Sequence, residues 1–201
     1  YVPFVVQHGG AATILVNANV TSWQAYNDWD GESLYADASG TMPHQKAWEV
    51  SYDRPFANDN GAGRLFDYEA DFIRFIEGVG YDVSYTTAFD LSHDATQIDA
   101  AHLFVSVAND EYWTTAERAA VQGARDRGVP LAFLGAAPVL WRIRLQASAA
   151  GVPERVIAGY KADQDRDPVL AATGPSASTA RFRDPPLAEP ENGLIGVMYQ
   201  N

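Results

Sequence analysis

The chain has 201 residues, a formal net charge of −12, an apolar share of 47% and no cysteine. Such an acidic balance argues against nucleic acid or an anionic membrane as partner, since both need a basic footprint. The missing cysteines exclude disulfides, thiolate metal sites and a thiol nucleophile, and no signal peptide or apolar run of about 18 residues is visible.

In chain order, Tyr1–Val6 (YVPFVV) reads as strand-like and is cut off by the breaker pair Gly9-Gly10. Residues 1–8 are therefore assigned to the end of a preceding β domain or to an edge strand, and residues 9–201 to one α/β domain. Both ends look cut, as in a piece of a longer chain. Ala12–Ala18 is the first core strand. It runs into Asn19–Tyr35, a long polar and aromatic segment holding Trp23, Tyr26, Trp29 and Tyr35. Gly40–Lys46 reads as loop, Ala47–Tyr52 as a short strand and Asn58–Gly63 as a turn. Over Tyr68–Val79 the residues Phe72, Phe75, Ile76 and Val79 recur at helical spacing, and Gly78 and Gly80 stop the helix.

Val83–Thr87 is a strand and Ala88–Ala101 a loop with one helical turn. Leu103–Val107 is an apolar run that stops abruptly at Asn109-Asp110-Glu111-Tyr112-Trp113, the pattern of a buried strand ending in a polar loop. Thr114-Thr115-Ala116-Glu117 fits a capping box, so a helix starts just after Thr114 and runs to Arg127. Val129–Leu134 is the next buried strand. Ala136–Arg144 is read as a helix, Arg155–Tyr160 as a strand, Ala172–Ala180 as a mobile surface loop and Arg181–Glu191 as proline-broken coil. Leu194–Tyr199 is one more apolar segment. Strands alternating with helices at these lengths predict a three-layer α/β/α sandwich with a mostly parallel sheet and right-handed crossovers.

Three polar-aromatic loops follow three of these strands: Asn19–Tyr35, Asn109–Trp113 and Gly135–Trp141. In a parallel sheet they share the carboxyl edge, where open α/β sheets place their chemistry. Acids before a helix ordinarily complement its dipole. Here Thr114 and Glu117 already cap the helix, which leaves Asp110 and Glu111 free for a site. Trp23, Tyr26 and Trp29 are either a stacking platform or a small satellite core. The histidines His8, His44, His93 and His102 show no metal-binding spacing, and nucleophile-elbow, P-loop and dinucleotide motifs are missing. Metal hydrolysis with oxygen ligands, carboxylate acid–base work and binding without catalysis stay open.

Taken together, Trp23–Trp29 (WQAYNDW), Val50–Phe56 (VSYDRPF), Gly80–Tyr85 (GYDVSY), Asn109–Trp113 (NDEYW), Leu131–Trp141 and Pro190-Glu191-Asn192 resemble the carboxyl-terminal domain of the large (beta) subunit of N,N-dimethylformamidase and its relatives. The resemblance implies a fold similar to the class I glutamine-amidotransferase-like sandwich, a mononuclear iron held by two tyrosinates and a glutamate, hydrolysis of a small amide, and further domains or subunits in one assembly. Position by position, it implies Glu111 and Tyr26 as metal ligands and puts Phe56 where a second tyrosine is expected. Asn109 stands where the family has a histidine, and Glu191 matches a further carboxylate. Phenylalanine cannot ligate a metal and asparagine cannot shuttle a proton at neutral pH, so Tyr52 and Tyr68 are the alternatives for the second tyrosine.

The expected site therefore comprises Tyr26 and Glu111 as metal ligands and Glu191, Asn109 and Asp110 as catalytic groups. Asn27, Trp29, Trp113 and Trp141 are expected against a small-molecule substrate. The competing reading is a non-catalytic domain that binds a ligand, such as carbohydrate, or serves as a scaffold after losing the metal. A third is a hydrolase using Asp110, Glu111 and Glu191 without metal.

Overall fold

A computed structural model describes residues 1–6, 13–35 and 46–200. His8, His44, the Gly9-Gly10 pair and all but the last residue of the loop expected over Gly40–Lys46 lie outside the described residues. In order the elements are β1 (Ile14–Ala18), α1 (Val20–Ala25), β2 (Glu49–Ser51), α2 (Ala70–Gly78), β3 (Val83–Thr87), α3 (Ala88–His93), α4 (Thr96–Asp99) and β4 (Leu103–Val107). There follow β5 (Tyr112–Thr114), α5 (Thr115–Asp126), β6 (Leu131–Leu134), β7 (Trp141–Gln146), β8 (Val156–Ala158), α6 (Pro168–Thr173) and α7 (Asn192–Ile195).

Four strands form an all-parallel sheet in the order β3-β1-β4-β6. Alternation along its strands separates two cores. Leu15 and Phe104 point to one face, against Leu91 of α3, Ile98 of α4 and Val121 and Ala124 of α5. Ile14, Val16, Val105 and Val107 point to the other, against Ile76 and Phe72 of α2. With helices on both faces the sheet is buried on both sides, which is why its strands read as unbroken apolar runs. The α/β sandwich expected from the element order is the fold observed.

A second, mixed sheet of order β2-β8-β7-β5 stands beside the first. Its core gathers Ala25, Leu34, Val50, Tyr112, Ile143 and Ile157. This sheet corrects the helix expected over Ala136–Arg144. Trp141, Ile143 and Leu145 alternate toward that core while Arg142 and Arg144 turn away, a period of two that belongs to a strand. β7 pairs parallel with β5 and antiparallel with β8.

Other expectations shift as well. Asn19–Tyr35 opens with α1, whose residues 21–25 are buried, and Ala88–Ala101 carries two short helices rather than one turn. The helix expected over Tyr68–Val79 is observed as α2, and a π turn, Leu65–Glu69, leads into it and takes up its first two expected residues. Phe75 and Val79, counted in its apolar stripe, are exposed because only Ile76 and Phe72 meet the sheet. Of the surface loop expected over Ala172–Ala180, residues 172–176 are mostly exposed but 177–180 are not. Asp167 caps α6 through the N–H groups of Val169 and Leu170, and residues 177–180 are buried against β7. Tyr1–Val6 pairs with no strand among the described residues. No helix among them is long and apolar enough to cross a membrane.

Strand order fixes where chemistry can gather. From β1 the chain crosses by α2 to β3 on one side. From β4 it crosses by α5 to β6 on the other. Loops leaving adjacent strands in opposite directions open a crevice at their carboxyl ends, here between the segments after β1 and β4.

Candidate functional site

Both walls of that crevice are held by named contacts. After β4 the chain turns at Ala108, whose φ is +57°, and its N–H donates to the carbonyl of Leu134 (3.0 Å). Gly135 lies so close to this turn that any β-carbon there would run into the Ala108 carbonyl. On the opposite wall Ser22 of α1 accepts the backbone N–H groups of Glu111 (3.0 Å) and Tyr112 (3.3 Å). Ser22 and Tyr26 are four residues apart and so share one helix face. The helix that grips the β4–β5 turn thereby aims Tyr26 at it.

Tyr26 donates its phenolic proton to Glu111 Oε2. The Asn109 amide donates to the Tyr26 oxygen (3.0 Å) and reaches the same Glu111 oxygen at 3.4 Å. The Trp141 indole N–H holds the other carboxylate oxygen (3.0 Å), and its backbone N–H donates to the Glu111 carbonyl (2.9 Å). Burial, then the charge of Glu111, pushes the Tyr26 phenol well above its ordinary range, so the phenol is the donor at neutral pH. Around this pair the Tyr35 ring packs at a tilt against Tyr26 (4.9 Å between centroids, 39° between planes) and Tyr112 meets it edge-on (5.8 Å). Arg64 lies 5.7 Å over the Tyr26 ring and 5.4 Å over that of Tyr68.

Of the expected site residues, Tyr26, Glu111, Asn109 and Trp141 thus come together. The others have different work. Asp110 turns into the sheet and accepts from Asn17 (2.9 Å) and Ser106 (2.8 Å). Its carboxyl is pushed up to about 6 by burial, with Ser106, Asn17 and the Trp113 indole partly offsetting. Trp113 is fully buried in the core beneath α5. Asn27 staples its own loop, donating to Gln24 and Pro55 and accepting from Trp29 and Ala57, while the Trp29 side chain is 44% exposed. Glu191 forms a bidentate ion pair with Arg183, is 1% exposed and shares no hydrogen-bond partner with Glu111.

Residues bearing on a metal divide in the same way. Among the described residues no group of three or more His, Asp or Glu gathers at metal-binding distance. Phe56 packs edge-on against Trp23 (6.3 Å) over Gly63 and is partly buried. Tyr52 is spent on the Val20 carbonyl (3.1 Å). Tyr68 stands beyond Arg64, which donates to its hydroxyl (3.4 Å). Two oxygens in contact, one phenolic and one carboxylate, are the donors offered, and they suit a hard or borderline cation.

Sequence reading missed Lys161. Its ammonium donates to the Tyr112 hydroxyl (2.5 Å) and lies 4.8 Å from the Tyr112 ring, 5.0 Å from Trp141 and 5.7 Å from Tyr35. One signal was present: of 14 basic residues twelve are arginine, and the two lysines are Lys46 and Lys161.

A carboxylate and a phenol at the carboxyl ends of a parallel sheet, where open α/β folds place their ligand sites, put this chain in the class of mostly parallel α/β sandwiches with a candidate site at that edge. The whole chain, residues 1–201, matches the family model described as N,N-dimethylformamidase beta subunit-like, C-terminal, and the protein belongs to that family. Curated proteins give no match. The family is defined on a beta subunit, a component of an assembly with other subunits, and its namesake activity is that of an amide hydrolase.

Proposed function

We propose that this crevice hydrolyses the C–N bond of a small amide. The observation that carries the proposal is Glu111, whose two carboxylate oxygens are separately fixed by Trp141 on one side and by Tyr26 and Asn109 on the other. A carboxylate held this way keeps one orientation through a reaction cycle, which is where positioning lowers a barrier.

A mononuclear iron, implied by the family resemblance, would be held by the Tyr26 phenolic oxygen and Glu111 Oε2, with water or substrate completing its shell. When bound it would supply Lewis-acid polarisation of the amide carbonyl. A cation at the two oxygens offsets the burial and charge that keep the phenol protonated, so the pair fits. The position of the second tyrosine does not contribute, because Phe56 has no donor atom. The remaining work belongs to the chain. Asn109 and Trp141 orient Glu111, the rings of Tyr35 and Tyr112 exclude water from one flank, and Arg64 adds positive charge beside Tyr26.

Amine release from N,N-dimethylformamide and formamide by the iron-supplemented protein tests this reading. Glu111→Gln keeps the shape of the side chain and should lower the rate by about 10²-fold or more. Protein carrying a full equivalent of iron that releases amine from no small amide overturns the proposal and leaves a binding or scaffold domain.

A further inference from the structure

Lys161 has the attributes of a working amine rather than of a surface charge. It is 8% exposed, enclosed by the rings of Tyr35, Tyr112 and Trp141, and forms no ion pair with a carboxylate among the described residues. Its backbone φ of +57° is a conformation that costs a non-glycine residue free energy. A lysine needed only for packing would be better served by an apolar side chain. One needed only for charge would be better served by arginine, which the chain uses at twelve other positions. Arginine, unlike lysine, cannot give up its proton.

Trp141 links this amine to the carboxylate. Its indole face meets Lys161, and its edge N–H donates to Glu111. The amine at the face of the indole and the carboxylate at its N–H edge therefore both border on one side chain. Resting on the amide-hydrolase reading, we propose that Lys161 is the general acid that protonates the departing nitrogen. After water has added to the amide carbon, the C–N bond breaks and its electron pair returns to nitrogen. That nitrogen takes a proton from the Lys161 ammonium. The amine leaves neutral, and Lys161 regains a proton from the carboxylic acid product, so the cycle closes without another reactant.

Burial favours this role by making the charged form expensive. It brings the Lys161 ammonium down to about 7, with Lys46 lowering it further and Glu111 acting in the opposite direction. Glu111, Lys46, Tyr35 and Tyr112 are the titratable groups that face it. A general acid must be protonated to act, so its contribution falls as pH rises through neutrality.

The test compares two leaving groups. N,N-dimethylformamide releases a strongly basic amine that needs protonation, whereas 4-nitroformanilide releases a weakly basic one that does not. Lys161→Met should lower the first rate by about 10²-fold or more and the second by less than tenfold. Lys161→Arg should not rescue the first, and in the wild type the first rate alone should decline above neutral pH. Equal losses on both substrates, or rescue by arginine, overturn the role of Lys161 while leaving the amidase reading intact. Wild-type protein inert to both amides overturns that reading and this role with it. Should Lys161→Met fail to fold, acetylation of the wild type decides, because two lysines make the mass spectrum simple. The Lys161 peptide should reach its maximal acetylation rate near neutral pH, and a rate still climbing above pH 9 overturns the proposal.

Discussion

Asp110 and Glu111 are neighbours in the chain, both buried, and bound to different partners. Asp110 is wholly buried beneath the sheet with Glu117, and the Asn17 amide bridges the two carboxyl groups (2.9 and 3.3 Å). Burial pushes Glu117 well above the ordinary carboxylate range, and the proximity of Asp110 adds to it. A third buried acid, Glu69, accepts the Trp23 indole N–H (2.7 Å) and the Asn19 backbone N–H (3.2 Å). These acids hold structure: Glu117 completes the cap of α5, and Glu69 ties the π turn to α1. Glu111 faces the crevice, and its partners are a phenol, an amide and an indole at the edge of the fold. The difference teaches that local sequence cannot assign a carboxylate its task. One peptide unit reverses the side on which it acts.

The comparison can be broken hardest at the turn that separates the two acids. Gly135→Ala puts a β-carbon into the Ala108 carbonyl, so the β4–β5 turn must move. A loss of about 3 kcal/mol or more is expected in urea unfolding, together with loss of any activity. A stability close to that of the parent would mean that the two loops do not meet.

The interior side has a pH signature. Burial raises the Glu69 carboxyl from 4.5 to about 8. Between those values the folded state holds a proton that the unfolded state has released, so stability falls as pH rises through the window and levels off above it. Glu69→Gln, always neutral, should be the more stable protein at pH 8.5 by roughly 2 kcal/mol and close to the parent below pH 4.5. Urea midpoints at the two pH values check this, and a parent with a flat profile would show that the acid is solvated.

For the crevice side the expectation is opposite. Glu111→Gln should change stability by less than about 1 kcal/mol, since the amide oxygen can still accept from Trp141 while its NH2 donates to the Tyr26 oxygen, even as it removes the proposed activity. A large drop in melting temperature would place Glu111 among the structural acids. Smallest of all, Arg74→Ala removes an exposed ion pair to Asp71 within α2. It should shift stability by less than about 0.5 kcal/mol.

Much of the frame was legible before any coordinates. The apolar runs at Ile14–Ala18, Val83–Thr87 and Leu103–Val107 had to be strands buried on both faces, and the Thr114–Glu117 box had to start a helix. These signals are local, because hydrophobic period and capping chemistry act within a few residues. The strand β7 was not legible in the same way, since the short apolar stretch before Trp141 hid its alternation. The fate of Phe56 was not legible either, for nothing nearby announces that it packs on Trp23.

The sequence alone determined the parallel core, the helix after Thr114, the family resemblance and the crevice edge as the place for chemistry. Tertiary structure decided which acids reach that crevice. Tyr26 meets Glu111 across 85 positions, Trp141 across 30, and Lys161 meets Tyr112 across 49. Contacts so distant depend on strand order and on close approaches such as that of Gly135 to Ala108, and no local pattern encodes either.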